Sequence, residues 1–399
     1  MGIVCTHVYA QSQLSPEITS WITTGNNSAN FDAQFSILEQ VQYTDEHVFL
    51  SCSGIPTYDV GPWDDPALGT NQNFVFSITR TPQPAGNPES LQQGRIGVWS
   101  NGISVYSPIN KASYQFKDTW HFDEVSKIEE ETPCDGWVYE NGEYYTYSTA
   151  SCLYDAATDN AHAPIVGYAF DGYPIYGGLG FANSDGTGGV VRMRSSYQLR
   201  NISERHTLPD GSELPESLWG PEVNNYFPLG RFVEDYVYTA GSGDLDEHNG
   251  RFCVTPEYPN GTYAYFVTVD AAFNPAFPYV IGDSFYGKVT DGNIGEFAGH
   301  NQIDAAATTY ASVGVSGIID IMLYPNPATD YFHVYILPGY ENNIAARLID
   351  MSGNVVFQEL NWQPGVNYPI DVRSMNSGMY ILQLVSGNAS VTHRCIVRN

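Results

Sequence analysis

Positive charge is scarce in this chain: 16 lysines and arginines stand against 44 aspartates and glutamates, a net charge of −28. Phosphate backbones and anionic headgroups are held by clustered basic side chains, and no such cluster occurs, so nucleic acid and acidic lipid surfaces are excluded as expected partners. Long apolar runs are missing as well. None reaches the roughly 18 residues of a membrane span. No window carries a sustained 3.6-residue apolar period, which leaves room for short helices only. The sequence has no C-x-x-C pair of the kind that seeds zinc sites, and no H-E-x-x-H. It also has no G-x-S-x-G, since Ala240-Gly241-Ser242-Gly243 lacks the first glycine at the right spacing. Nothing therefore favours an enzyme.

What is abundant points to strands and turns: 38 glycines, 24 prolines, 29 tyrosines and 19 phenylalanines among 399 residues. The chain is too long for one ordinary core, so at least two domains are expected, mainly β in class. Residues 40–60 alternate as a strand pair turning at Thr44-Asp45-Glu46. Asn73–Ile78 is another strand, and Ile96–Tyr106 reads as a hairpin with Asn101-Gly102 at its turn. Asp171-Gly172 between apolar strands suits a type I′ turn in the same way. Residues 289–320 are rich in Gly, Ala, Ser and Thr and read as a linker. Beyond it, residues 321–399 show short strands at regular spacing, as in a small β-sandwich.

The six cysteines divide unevenly. Cys5 lies in a start, M-G-I-V-C-T-H-V-Y-A-Q, that looks like the tail of a signal peptide (residues 1–10) with a cut at Ala10-Gln11. Cys395 lies near the other end. The remaining four suit two disulfides in an oxidising compartment. Cys134 and Cys152 flank an apparent hairpin and would close it, which leaves Cys52–Cys253 by elimination.

Two resemblances rest on these residues. S-G-I-P-T-Y (53–58), I-G-V-W-S-N-G-I (96–103), Trp120-His121, G-Y-A-F-D-G-Y-P-I-Y-G (167–177), L-D-E-H-N-G-R-F (245–252) and T-P-E-Y-P-N-G-T-Y-A-Y-F (255–266) occur in an order similar to the YHYH-domain family, over residues 35–288. That resemblance implies a β-rich extracellular domain and no established reaction. Y-P-N-P-A (324–328), the D-x-S-G-x-V-V hairpin (350–356), the S-G-x-Y strand (377–380) and a basic last strand resemble the C-terminal sorting domain of type IX secretion substrates of Bacteroidota. This implies an Ig-like sandwich, the secretion machinery as partner, and a secreted or surface-attached product.

In the family's Tyr-His-Tyr-His position this chain has Tyr144-Tyr145-Thr146-Tyr147, and Trp137 replaces a further family histidine. Imidazole is a good transition-metal ligand and a phenol is a poor one at neutral pH. His121 and His162, with a carboxylate such as Asp171, are what remains for a metal or hydrolytic site. The alternative is that both histidines are satisfied structural groups and that Asp171 only makes a turn. Asp244, Asp246, Glu247 and Asn249 could supply oxygen ligands to calcium, although the spacing fails as an EF-hand, and a solvated acidic turn is the simpler reading. Trp137, Tyr144, Tyr145 and Tyr147 are either packing or an aromatic surface for a glycan partner. The primary expectation is a secreted, disulfide-stabilised β-rich protein with a binding or structural role.

Overall fold

The computed structural model describes residues 14–22, 38–56, 70–127, 136–139, 141–148, 161–295, 297–312, 321–325, 327–336, 344–350, 354–363, 365–386 and 389–398. The chain divides into two compact units, Met1–Ala311 and Ser312–Asn399.

The first unit is built on two sheets. The smaller contains β1 (Leu38–Tyr43), β2 (His47–Cys52), β3 (Phe74–Thr79) and, on the far edge of β1, a late strand Thr308–Ser312. The larger uses β4 (Arg95–Trp99), β5 (Ser104–Tyr106), β6 (Gly136–Val138), β7 (Tyr144–Thr146), β8 (Ile165–Ala169), β9 (Pro174–Tyr176), β10 (Gly250–Cys253) and β11 (Thr262–Phe266). Their order is β10-β11-β9-β8-β4-β5-β7-β6, antiparallel except for the parallel pairs β9–β11 and β5–β7. Thr308–Ser312 is labelled β12.

Strands β4 and β8 are buried along their whole length because both faces of the large sheet are covered. Ile96 and Trp99 of β4 enter one apolar cluster, with Ile175, Tyr265 and Val280. Val98 enters the other, which it shares with Val48, Leu50, Phe74 and Phe76 of the small sheet. Each such large side chain removed from water stabilises the unit by about 1.5–3 kcal/mol. The short helix Pro16–Thr19 seals the second cluster with Ile18 and Trp21.

The hairpins share one turn. In Trp99–Ile103, Tyr139–Glu143 and Ala169–Tyr173 the glycine N–H returns to the carbonyl three residues earlier, and a second bond closes the next residue. Gly102, Gly142 and Gly172 have φ of 85°, 83° and 89°. The residue before each is Asn or Asp, and its Oδ1 accepts the N–H two positions on. The expected two-residue type I′ turns need positive φ at both centres. Asn101 and Asp171 do not have it, so these are glycine-bulge turns instead.

The first unit runs further than the sequence suggested. Residues up to 311 belong to it, and residues 289–312 are not a free linker. Asn293 is buried and exchanges two hydrogen bonds with the Ser77 backbone, while Asn301 donates to the Val75 carbonyl. Both side chains complete the open edge of β3, work that composition alone cannot reveal. Residues 313–320 of the expected linker lie outside the described residues, as do residues 1–10, Cys134 and Cys152. Cys52 and Cys253 do not form the bridge expected by elimination: they are buried free thiols, one on β2 of the small sheet and the other on β10 of the large one. Burial raises the pKa of both, which suppresses the thiolate.

The second unit pairs a three-stranded sheet of β13 (Ile321–Tyr324), β14 (Tyr331–Ile336) and β17 (Asn367–Asp371) with a four-stranded one. The latter runs β16 (Val355–Trp362), β15 (Ile344–Asp350), β18 (Gly378–Ser386), β19 (Ala389–Val397). Burial alternates residue by residue along β14, and Phe332, Val334 and Ile336 meet Ile344, Ala346, Leu348 and Leu382 in one core. This is the expected β-sandwich.

Candidate functional site

The Tyr-Tyr-Thr-Tyr run is core. Tyr144 is fully buried, and Tyr145 and Tyr147 are 6% and 8% exposed. Tyr145 stacks on Tyr106 with centroids 4.2 Å apart, and its hydroxyl lies 3.2 Å from that of Tyr147. Burial pushes Tyr145 up to about 12 and Tyr147 higher still, so both stay neutral phenols. The glycan-facing surface expected here is absent at these three tyrosines, and Trp137 is only half-buried. The hairpin is fixed from within by Glu143. Arg95 Nε and one terminal nitrogen each reach a Glu143 oxygen at 2.7 Å, joined by Ser104 Oγ and the Tyr106 hydroxyl. Arg95 also donates to the carbonyls of Gly295 and Ala298.

The three expected metal ligands are not brought together. Asp171 sits at the tip of the β8–β9 hairpin, fully buried, accepting the Tyr265 hydroxyl at 2.6 Å and the Gly287 N–H at 2.8 Å. Burial raises its pKa to about 6. His162 lies before the opposite end of that hairpin, where Nδ1 meets the Ala163 carbonyl at 2.8 Å and the ring stands edge-on to Tyr176. Its Nε2 has no hydrogen-bond partner among the described residues, and burial lowers its pKa, keeping the ring neutral. No cluster of three or more metal-binding side chains occurs among the described residues.

The acidic loop does not converge either. Asp244 makes a two-pronged ion pair with Arg194, and Asp246 accepts the Tyr263 hydroxyl and the N–H groups of His248 and Gly250. The Asn249 amide donates to Phe266 and Val280 carbonyls. The Glu247 carboxylate is engaged by the Tyr238 side chain. All four expected calcium donors are thus engaged by groups of the protein itself.

His121 differs from these. It opens the strand His121–Asp123, which pairs with Ile109–Ser113. Neighbouring Trp120 anchors it, fully buried, with its indole N–H on the Leu218 carbonyl. The ring lies between two carboxylates: Nδ1 is 2.6 Å from Glu234 and Nε2 is 3.2 Å from Asp118. Glu234 also accepts the His121 backbone N–H at 2.8 Å. Carboxylates on both ring nitrogens favour the protonated ring, and the Glu234 hydrogen bond is the chief cause raising the His121 pKa, while burial raises Glu234 as well. Both ring nitrogens are turned to carboxylates, and neither is left facing open space for a metal ion.

Glu234 owes its position to its neighbour. Asp235 and Arg205 are both fully buried and pair through two bonds of 2.7 and 2.8 Å. The remaining guanidinium donors reach the carbonyls of Pro221, Phe227 and Pro228. One ion pair therefore folds an otherwise irregular segment against the strand that carries His121.

His121 and Glu234 line a cavity of about 330 Å³, with Leu91, Ile109, Val233 and Ile281 among its apolar walls. Tyr236 and Phe277 also line it, stacked 4.0 Å apart and 5° from parallel. Asp283 completes its charged groups. Sequence reasoning found His121 but not Glu234, Tyr236, Phe277 or Asp283. The acidic pair in F-V-E-D-Y was the one visible signal, and nothing local linked it to a histidine 113 residues away.

Against known families, the one described as YHYH protein matches residues 75–278, and a secretion system C-terminal sorting domain matches residues 322–398. No curated protein matches the chain.

Proposed function

Because the chain belongs to the YHYH protein family and carries a type IX sorting domain that directs it to the outer cell surface or beyond, we propose that its first unit is a ligand-binding module for small molecules. The observation that carries this reading is the cavity beside His121. Its size falls in the usual range for small-ligand sites, its walls are mostly apolar, and its few polar groups are fixed by bonds from behind. The Arg205–Asp235 pair holds one wall in place before any ligand arrives, which lowers the ordering cost of binding. The site has an acid–base pair, yet among the described residues no nucleophile is hydrogen-bonded to it. Binding is therefore favoured over turnover.

The test is a fragment screen by ligand-observed NMR on the full chain, repeated on Ile109→Trp, which places a large ring in the cavity from a half-buried wall position. Fragments that bind the parent should lose about tenfold or more in affinity. Undiminished binding in the variant, with its fold intact, sinks the cavity as the site.

A further inference from the structure

The chemistry of that cavity narrows its ligand. Among the described residues its charged lining groups are His121, Glu234 and Asp283, with no lysine or arginine. Asp118 faces the other side of the imidazole, so two carboxylates flank His121 and a third, Asp283, lines the same cavity. The positive charge of His121 is already matched, since Glu234 and Asp118 take both of its ring protons. Asp283 is an exposed residue with no salt bridge among the described residues, and its carboxylate lies within hydrogen-bond reach of the Tyr197 hydroxyl and near His248. An anionic ligand entering here would meet a net negative field with no free donor cation. The chain as a whole adds to that field, at −28.

The remaining polarisable surface is aromatic. Tyr236 and Phe277 stack face to face, and the negative face of an aromatic ring attracts ammonium groups. A carboxylate without a salt bridge, beside a stacked aromatic pair in an apolar cavity, is a combination that recognises an organic cation.

Resting on the reading of the cavity as a binding site, we propose that it takes small organic cations, amines or quaternary ammonium compounds with an apolar body. The ammonium group faces Asp283 and the Tyr236–Phe277 pair, and the apolar body lies against Leu91, Ile109 and Ile281.

The experiment compares three probes of one shape on the full-length protein: phenethylammonium, phenylacetate and 2-phenylethanol, titrated by ligand-observed NMR. Phenethylammonium should bind about tenfold or more tighter than phenylacetate, with the alcohol between them. Asp283→Asn should remove most of that preference, and Tyr236→Leu should weaken the cation more than the alcohol. Tyr226→Ala, an 88% exposed ring that does not line the cavity, should change nothing. Asp283 is exposed, so its variant tests the idea even if Tyr236→Leu fails to fold. Equal binding of all three probes, tighter binding of phenylacetate, or a preference that survives Asp283→Asn overturns the cation assignment and leaves the cavity reading standing. Binding by none of the three overturns both.

Discussion

At the scale of single residues, this unit buries acids and tyrosines that most proteins leave wet. Asp171 and Asp123 are both fully buried, each hydrogen-bonded to a tyrosine hydroxyl at 2.6 Å, and burial raises each to about 6. The sign of the consequence follows from linkage. A carboxyl whose pKa is higher folded than unfolded binds more protons in the folded state between the two values, so stability falls as pH rises through that window. A shift of about two units corresponds to about 3 kcal/mol per group as an upper bound. Urea unfolding should thus show the first unit more stable near pH 5 than near pH 7, and Asp171→Asn should flatten that slope. An unchanged slope in the variant would mean that Asp171 ionises as it does in water.

At the scale of elements, the large sheet depends on a close approach between its two central strands. Gly97 of β4 lies opposite Ala169 of β8, and Gly167 of β8 opposite Trp99 of β4. A Cβ on Gly97 would sit 2.7 Å from the Tyr168 carbonyl oxygen and 3.2 Å from the Ala169 Cα, both backbone atoms that cannot swing away. Gly97→Ala should cost about 1–3 kcal/mol in chemical denaturation, whereas Gly86→Ala, with nothing within 4 Å, should stay within about 0.5. Equal effects would refute the close-approach argument. These strands and their turns were legible in the sequence because an Asx-Gly pair flanked by apolar residues is a local signal. The class of the fold, both strand pairs and the second sandwich followed from such signals. The cavity was not legible, since Glu234, Asp235 and Arg205 act through partners 30 to 113 residues away. The fate of the aromatic run was half-legible: the loss of its histidines was plain, but its burial depends on Tyr106 and Arg95, which the run itself does not specify.

At the scale of the whole molecule, each unit has its own core, with no residue shared between the clusters of the first and that of the second. A chain ending at residue 312 should therefore keep the melting temperature of the first unit and its probe binding, measured by calorimetry and NMR. Loss of either would show that the sorting domain supports the first unit. Completion of that first unit is a different matter, because Arg95 binds carbonyls as much as 203 residues further along the chain. Synthesis runs from the N-terminus at about 5–20 residues per second, so roughly 10–40 s separate the making of this arginine from the arrival of its last acceptor. Glu143 can match its charge after 48 residues, but the carbonyl acceptors of its other terminal nitrogen come only with Gly295 and Ala298. The shell around this guanidinium is therefore drawn from nearly the whole length of the unit, and no short piece of the chain can complete it.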